Sequence, residues 1–329
     1  MRLKKHQILY SNIKNSRSFT AKYITIAKRF FSFEKRNVDL CYHRALSWIK
    51  KNTVPGKGIA INSFHKNIPH IEVTGYTIPT LIEAGELGLA LQYAEFLLQV
   101  QRPNGSFTGS SDNKEYVFDS AQALRGLLSA STVWQRFKPF AVKTADYIIS
   151  LIKEDGRIPS MYEDTTEYIN VFILPVLTEA SKVLGEQKYL TAAKKSLQYY
   201  KNIPDVLNTN ILSHDLAYII DGFCDMGEKD FVRSAVKEFF LRQSRNGKVL
   251  AYPDVSWCCS AGAAQFAVIG YKLGMKEEAD NIIDYLCKVQ NVSGGFYGSY
   301  GFFGDYFSDA EIGWTNKFFI DAVRLKKGC

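Results

Sequence analysis

One grammar, repeated along the 329 residues, constrains the fold more than any other feature of the chain. A helix-length run rich in aromatic, aliphatic and small residues ends at a Gly-containing turn. A more charged amphipathic run follows and closes in a polar Gly loop. The punctuation returns at roughly 45–50 residues, within the range that marks repeat architectures. Runs of the first kind are predicted at 74–88, 118–128, 168–184, 214–226 and 257–273, and charged partners at 90–101, 140–152, 189–200, 231–243 and 277–289. Two runs are left over, an amphipathic one at 38–51 and one of the first kind at 311–325. Pairing them completes about six helical hairpins and closes the series into a ring. Helices apolar all round belong inside such a ring, and the charged helices form its outer wall. Strict alternation at period two is scarce, which leaves little room for sheet.

The expected fold class is therefore all-α, an (α/α)6 toroid of about six hairpins closed by an N-terminal outer helix and a C-terminal inner one. The chain exceeds the usual domain of roughly 100–200 residues, so it must be two domains or one closed repeat, and a toroid over 38–329 satisfies the second option. Residues 1–37 are read as a basic arm. Of the 41 Lys and Arg, ten lie there beside Glu34 alone, so the net charge of +8 belongs to the arm and the body is close to neutral. Nucleic acid is accordingly not an expected partner. The aromatic and basic stretch 23–33 reads as a solvated segment packing its rings on the domain, or as a peripheral contact with an anionic membrane. No apolar run has signal-peptide or membrane-spanning length, so a cytoplasmic location is expected, peripheral at the inner membrane face if the arm docks. Cys41, Cys224, Cys258, Cys259, Cys287 and Cys329 form neither CxxC pairs nor a dense framework, as in a protein with reduced thiols.

The loops Gln101-Arg-Pro-Asn-Gly-Ser-Phe107 and Gln290-Asn-Val-Ser-Gly-Gly-Phe296 resemble the Q-x-x-x-G-x-F/W hairpin ends of the terpenoid-cyclase and prenyltransferase toroids. The six-hairpin grammar resembles the six-hairpin glycosidases and polysaccharide lyases. Glu72-Val-Thr-Gly-Tyr-Thr-Ile-Pro79, followed by Phe118-Asp-Ser-Ala-Gln122, is similar to uncharacterised toroid proteins encoded with bacterial surface-polysaccharide genes. The resemblance covers about residues 38–325. It implies the fold and a place in bacterial polysaccharide metabolism, while toroids host many chemistries. The cyclase D-x-D-D motif is absent and no Asp, Cys and His zinc set of a prenyltransferase can be placed, so terpene chemistry is not expected.

In such a ring the starts of the inner helices crowd one mouth, and each start carries chemistry: Glu72 and Tyr76, Asp119 and Gln122, Glu167 and Asn170, His214 and Asp215, then Tyr252, Asp254, Trp257 and Cys258, and last Asp305, Glu311 and Trp314. Any one acid here reads equally as a helix cap, because Asp is among the strongest cap formers. The convergence of carboxylates, aromatics and an imidazole is what points to sugars. Glycoside hydrolysis needs two carboxyl groups about 5–5.5 Å apart for retention or 6.5–9.5 Å for inversion. The expected pair is Asp119, as the acid, with Glu72 or Asp254, although the helix dipole opposes a raised pKa at Asp119. Gln122, Asp215, Tyr252, Trp257, Asp305, Glu311 and Trp314 are expected to bind substrate, and the two Trp read also as core. A lyase or C5-epimerase of uronates would instead need a base, an acid and a carboxylate neutraliser. His214, Tyr76 or Tyr252, and Arg125 or Arg245 fill those roles, while His214 also reads as a histidine satisfied by backbone.

No cofactor and no metal are expected. His65, His70 and Glu72 match no zinc spacing, Cys258 and Cys259 have no second pair, and dinucleotide, phosphate-loop and serine-elbow motifs are missing. The reading from sequence is a carbohydrate-active enzyme of bacterial polysaccharide metabolism whose partner is an oligo- or polysaccharide. Glycoside hydrolysis stands ahead of uronate lyase or epimerase chemistry. The alternative from another class is a non-catalytic toroid that binds a glycan or protein in surface-polysaccharide assembly.

Overall fold

The computed structural model describes residues 37–328 except 111, 161–166, 209 and 243–245. The basic arm, apart from Asn37, lies outside the described residues, as do its stretch 23–33, Arg245 and Cys329. The helices are α1 Val38–Lys51, α2 Ile71–Glu83, α3 Leu87–Val100, α4 Val117–Val133, α5 Lys138–Leu151, α6 Leu174–Leu184, α7 Gln187–Lys201, α8 Ser213–Asp225, α9 Lys229–Leu241, α10 Ser260–Lys272, α11 Lys276–Val289 and α12 Gly313–Lys327. Two 3-10 segments, Gln135–Phe137 and Glu167–Ile173, and one antiparallel pair, β1 Cys258–Cys259 with β2 Ser299–Tyr300, complete the regular structure. The all-α hairpin series is thus as read from the sequence. Among the described residues no helix is long and apolar enough to cross a membrane, and the five described cysteines are buried and form no disulfide with one another.

Two boundaries differ from expectation. The run 168–184 is a 3-10 segment followed by α6, because Pro175 at the second helical position has no N–H and is preset for a helix start. The run expected from 257 begins at Ser260, because Cys258 and Cys259 pair with Tyr300 and Ser299. A two-residue strand leaves no periodicity to read.

The chain divides into two compact units. The central unit is Ile49–Asn208 with Tyr218–Val232, and the terminal unit holds the described residues of 37–48, 210–217 and 233–328. In the central unit α2, α4 and α6 pack in succession, backed by α3, α5 and α7. Thirteen of the 17 residues of α4 are buried, against four of 15 in α7, where Tyr189, Ala193, Ser196 and Tyr200 form one apolar stripe. The backbones of α2 and α4 touch: a Cβ on Gly75 would stand 2.3 Å from the Gln122 carbonyl oxygen. In the terminal unit α10 buries 11 of its 13 residues between α11 and α12. The two leftover helices pair here, with Asn316 Nδ2 donating to Ala45 O at 3.3 Å and Lys327 facing Asp39 at 2.5 Å.

The two resembling loops act alike, each in its own unit. Gln101 Nε2 donates to Phe140 O at 2.9 Å, tying the end of α3 to α5. Gln290 Nε2 donates to Cys41 O at 2.9 Å, tying the end of α11 to α1.

Candidate functional site

The carboxylates of the central unit are placed by the close approach of α2 and α4. Gly75 meets Gln122, and further along Ile78 meets Gly126, so the two helices run in the same direction and begin side by side. Glu72 and Asp119 each stand three residues before that contact, in the first turns. Neither is the cap of its helix. His70 Nδ1 accepts from Val73 N at 3.5 Å ahead of α2, and the residue before α4 is Tyr116, with no side-chain cap. Asp119 is 3 % exposed. Glu72 is half-buried and accepts a hydrogen bond from Tyr218 Oη at 3.1 Å. Tyr218 in turn closes an aromatic triad, 5.1 Å from the Phe118 ring and 4.8 Å from that of Phe172. Tyr76 is fully buried one turn beyond Glu72.

Gln122 sits one turn beyond Asp119. Its Oε1 accepts from Arg125 Nε at 3.2 Å, while its Nε2 is buried with no hydrogen-bond partner. Arg125 also donates to Phe172 O at 3.2 Å and lies 4.5 Å over that ring, which fixes a guanidinium beside the triad. Asn170 and Glu167 are structural: Asn170 Nδ2 holds Ile158 O at 3.0 Å, and Glu167 faces Arg157 at 3.9 Å.

In the terminal unit His214 is buried, its Nδ1 2.5 Å from Gln265 Oε1, with the rings of Tyr306 and Phe318 at 6.2 and 6.4 Å. Burial lowers its pKa to about 4, so the imidazole is neutral at physiological pH. Asp215, the next residue, is half-buried, and desolvation pushes its carboxyl up to about 7. Lys317 is buried, 2.8 Å from Asp321 and 4.0 Å over the Phe318 ring.

The remaining expected ligands fare differently. Asp254 and Asp305 are exposed on loops. Glu311 is engaged as a clamp rather than open to a substrate: its Oε2 accepts from Trp48 Nε1 at 2.6 Å, and its Oε1 from Asn291 Nδ2 at 2.8 Å and from Ser293 Oγ. Trp257 and Trp314 are buried, and Trp314 Nε1 donates to Tyr306 Oη at 3.1 Å, so they serve as packing more than as open platforms. Tyr252 is half-buried against Trp257, with ring centroids 5.9 Å apart. Asp221, Tyr218 and Gln265 were missed in the sequence. Their signal was present, since a polar residue inside an otherwise apolar inner helix must be satisfied or functional. His65 Nδ1 rests on Asn62 Oδ1 at 3.1 Å, and among the described residues no group of three His, Cys, Asp or Glu stands together as a metal site. A cavity of about 550 Å³ opens by Glu154, Lys195 and Tyr199 and contains none of the candidate residues.

No family model matches the chain, and no curated protein matches it. Solved structures do. An unsaturated glucuronyl hydrolase specific for heparin superposes with a TM-score of 0.67 at 16% identity over 88% of this chain and 97% of that one. An α-amylase from Clostridium perfringens gives 0.65 at 17% identity, over 87% and 97%. A type II terpene cyclase from Scytonema gives 0.61 at 12% identity, over 93% and 99%. The helical hairpins of this chain therefore have the fold of the α/α toroids, a fold that these proteins use for different reactions.

Proposed function

We propose that the protein is a carbohydrate-active enzyme that hydrolyses a glycosidic bond of an oligo- or polysaccharide. The observation that carries this reading is the pair of carboxyl groups, Asp119 and Glu72, at the adjoining starts of α2 and α4 beside the triad of Phe118, Phe172 and Tyr218. A buried carboxyl such as Asp119 suits the general acid that protonates the leaving oxygen. Glu72, held by Tyr218, suits the carboxylate that activates water or attacks the anomeric carbon. The buried triad packs Tyr218 against Glu72, and Arg125, held over the Phe172 ring, supplies a guanidinium for the hydroxyl or carboxylate groups of the sugar. That two of the superposed structures are named as sugar hydrolases supports the substrate class.

Lyase or epimerase chemistry is the second reading, favoured by one observation: His214 is neutral, as a base must be, and is oriented by Gln265. In both readings residues 38–329 form the catalytic domain, and the basic arm is a solvated segment packing its rings on that domain or a peripheral contact with an anionic membrane. The test is a screen of purified protein on bacterial capsule and O-antigen oligosaccharides. It reads reducing ends, absorbance of unsaturated uronates and solvent deuterium uptake together. New reducing ends that vanish in Asp119→Asn and Glu72→Gln support hydrolysis. Unsaturated products or deuterium uptake lost in His214→Ala move the assignment to the second reading. Saturable glycan binding with all three channels silent leaves a binding module.

A further inference from the structure

We propose that Asp215 is a catalytic residue of the terminal unit, the acid that gives its proton to the leaving oxygen of a bound uronate glycan. This role rests on the second reading above, in which His214 is the base, and it replaces Tyr76 or Tyr252 as the acid of that reading. His214 and Asp215 follow one another in the first turn of α8, and both border α10. His214 Nδ1 stands 2.5 Å from Gln265 Oε1 of α10. Asp215 lies close enough to Cys259, the residue before α10, for its charge to raise the pKa of that thiol. Base and acid are thus placed at one end of one inner helix, along the same neighbour.

Asp215 differs from the other inner-helix carboxyl group of this unit. Glu311 is held by three donors, whereas Asp215 has no hydrogen bond and no ion pair among the described residues. The residue is only half-buried and keeps accessible surface, so a ligand can reach it. Protein nevertheless surrounds the carboxyl, and desolvation pushes it up to about 7 against the positive end of α8, which favours the charged form. The titratable groups that face it, His214 and Cys259, are both uncharged at neutral pH, because burial lowers the first and raises the second. A desolvated carboxyl without a partner lowers stability, and such groups are characteristic of places where a proton must move. An acid that titrates near the operating pH is also the most effective donor.

In the elimination step His214 takes the proton from the carbon beside the uronate carboxylate. The electrons of that C–H bond form the new C=C bond, the C–O bond to the leaving sugar breaks, and Asp215 gives its proton to the departing oxygen. Proton exchange with water then returns His214 to its neutral form and Asp215 to its acid form.

Two substrates test the role of Asp215 in the full chain: uronate-containing capsule oligosaccharides, and a uronoside with fluorine in place of the leaving oxygen, which departs as fluoride and needs no proton. Asp215→Asn should lower kcat/KM on the oligosaccharides by about a hundredfold or more, the usual worth of a general acid, and stay within about threefold of the parent on the fluoride. Activity on the fluoride also shows that the variant is folded. His214→Ala should lose both reactions. In the parent, the rate on oligosaccharides should fall above pH about 7, and the rate on the fluoride should not. Oligosaccharide elimination that persists in Asp215→Asn overturns the acid and leaves the elimination reading in place. An equal loss on both substrates makes Asp215 a residue of binding or folding and overturns it too. No unsaturated product and no fluoride from the parent overturns the elimination reading itself, and the acid with it.

Discussion

Gly294 lies against the backbone of Arg44: a Cβ placed on it would stand 2.2 Å from the Arg44 carbonyl oxygen, and its φ is +93°. Gly105 bears the same relation to Lys143, at 2.3 Å and φ +89°. Each glycine follows an outer helix, and each touches the backbone of the outer helix it is stapled to, α5 for Gly105 and α1 for Gly294. Gly294→Ala must move α1 or the loop, so a loss of about 2–4 kcal/mol is expected in denaturant unfolding. Gly85→Ala has a similar φ of +78° with open space around it and should lose only about 1 kcal/mol. Equal losses at the two positions would show that φ alone, and not the close approach, sets the cost.

Glu311 is expected to act on stability and not on substrate affinity. Glu311→Ala leaves the buried Trp48 Nε1 and the donors of Asn291 and Ser293 without their acceptor, a loss of about 2–3 kcal/mol for bonds to a charged group. Thermal unfolding should show it, with KM on any active glycan unchanged. A raised KM at unaltered stability would restore Glu311 to the ligands.

The buried imidazole of His214 makes the fold acid-sensitive. Its pKa is about 4 in the folded protein against about 6.5 unfolded, so as pH falls the unfolded chain takes up the proton first. The corresponding stability is present above about 6.5 and is lost between there and about 4, about 3 kcal/mol in all. His214→Gln should flatten the stability curve across that window. An unchanged slope would mean that another group titrates there.

Asp215 should have the opposite slope. Desolvation pushes it up to about 7, above its unfolded value, so the folded chain holds the proton longer and stability falls as pH rises from about 4 to 7. Asp215→Asn should therefore be more stable than the parent at pH 8 and equal to it near pH 4. The reverse order would place a cation against Asp215.

Tyr218→Phe removes the donor to Glu72 and keeps the rings packed on Phe118 and Phe172. If Glu72 is the second carboxyl group, kcat should fall about tenfold with KM nearly constant, the signature of an interaction that matters in the transition state. Loss of KM alone would make Tyr218 a substrate ligand.

The hairpin order and the helix kinds were legible because they rest on local rules, and the pairing of the terminal helices followed from counting the runs left over. An inner helix such as α10 has apolar and small residues on every face, and an outer one such as α7 has a stripe, so burial is written into periodicity. The loop motif Gln-x-x-x-Gly-x-Phe was visible as a pattern, but its work was not. That Gln290 reaches Cys41, 249 positions earlier, is a fact of packing. The site divides in the same way. Polar residues at inner-helix starts could be named from the sequence, because a buried polar side chain needs a reason. Which of them is held as a clamp, like Glu311, which stands exposed, like Asp254, and which is desolvated, like His214 and Asp215, depends on neighbours distant in sequence. The sequence by itself determined the elements and their order, since those follow from spacing along one chain. Only the tertiary structure decided the chemistry of each side chain, since hydrogen bonds and desolvation are set by what the fold brings around it.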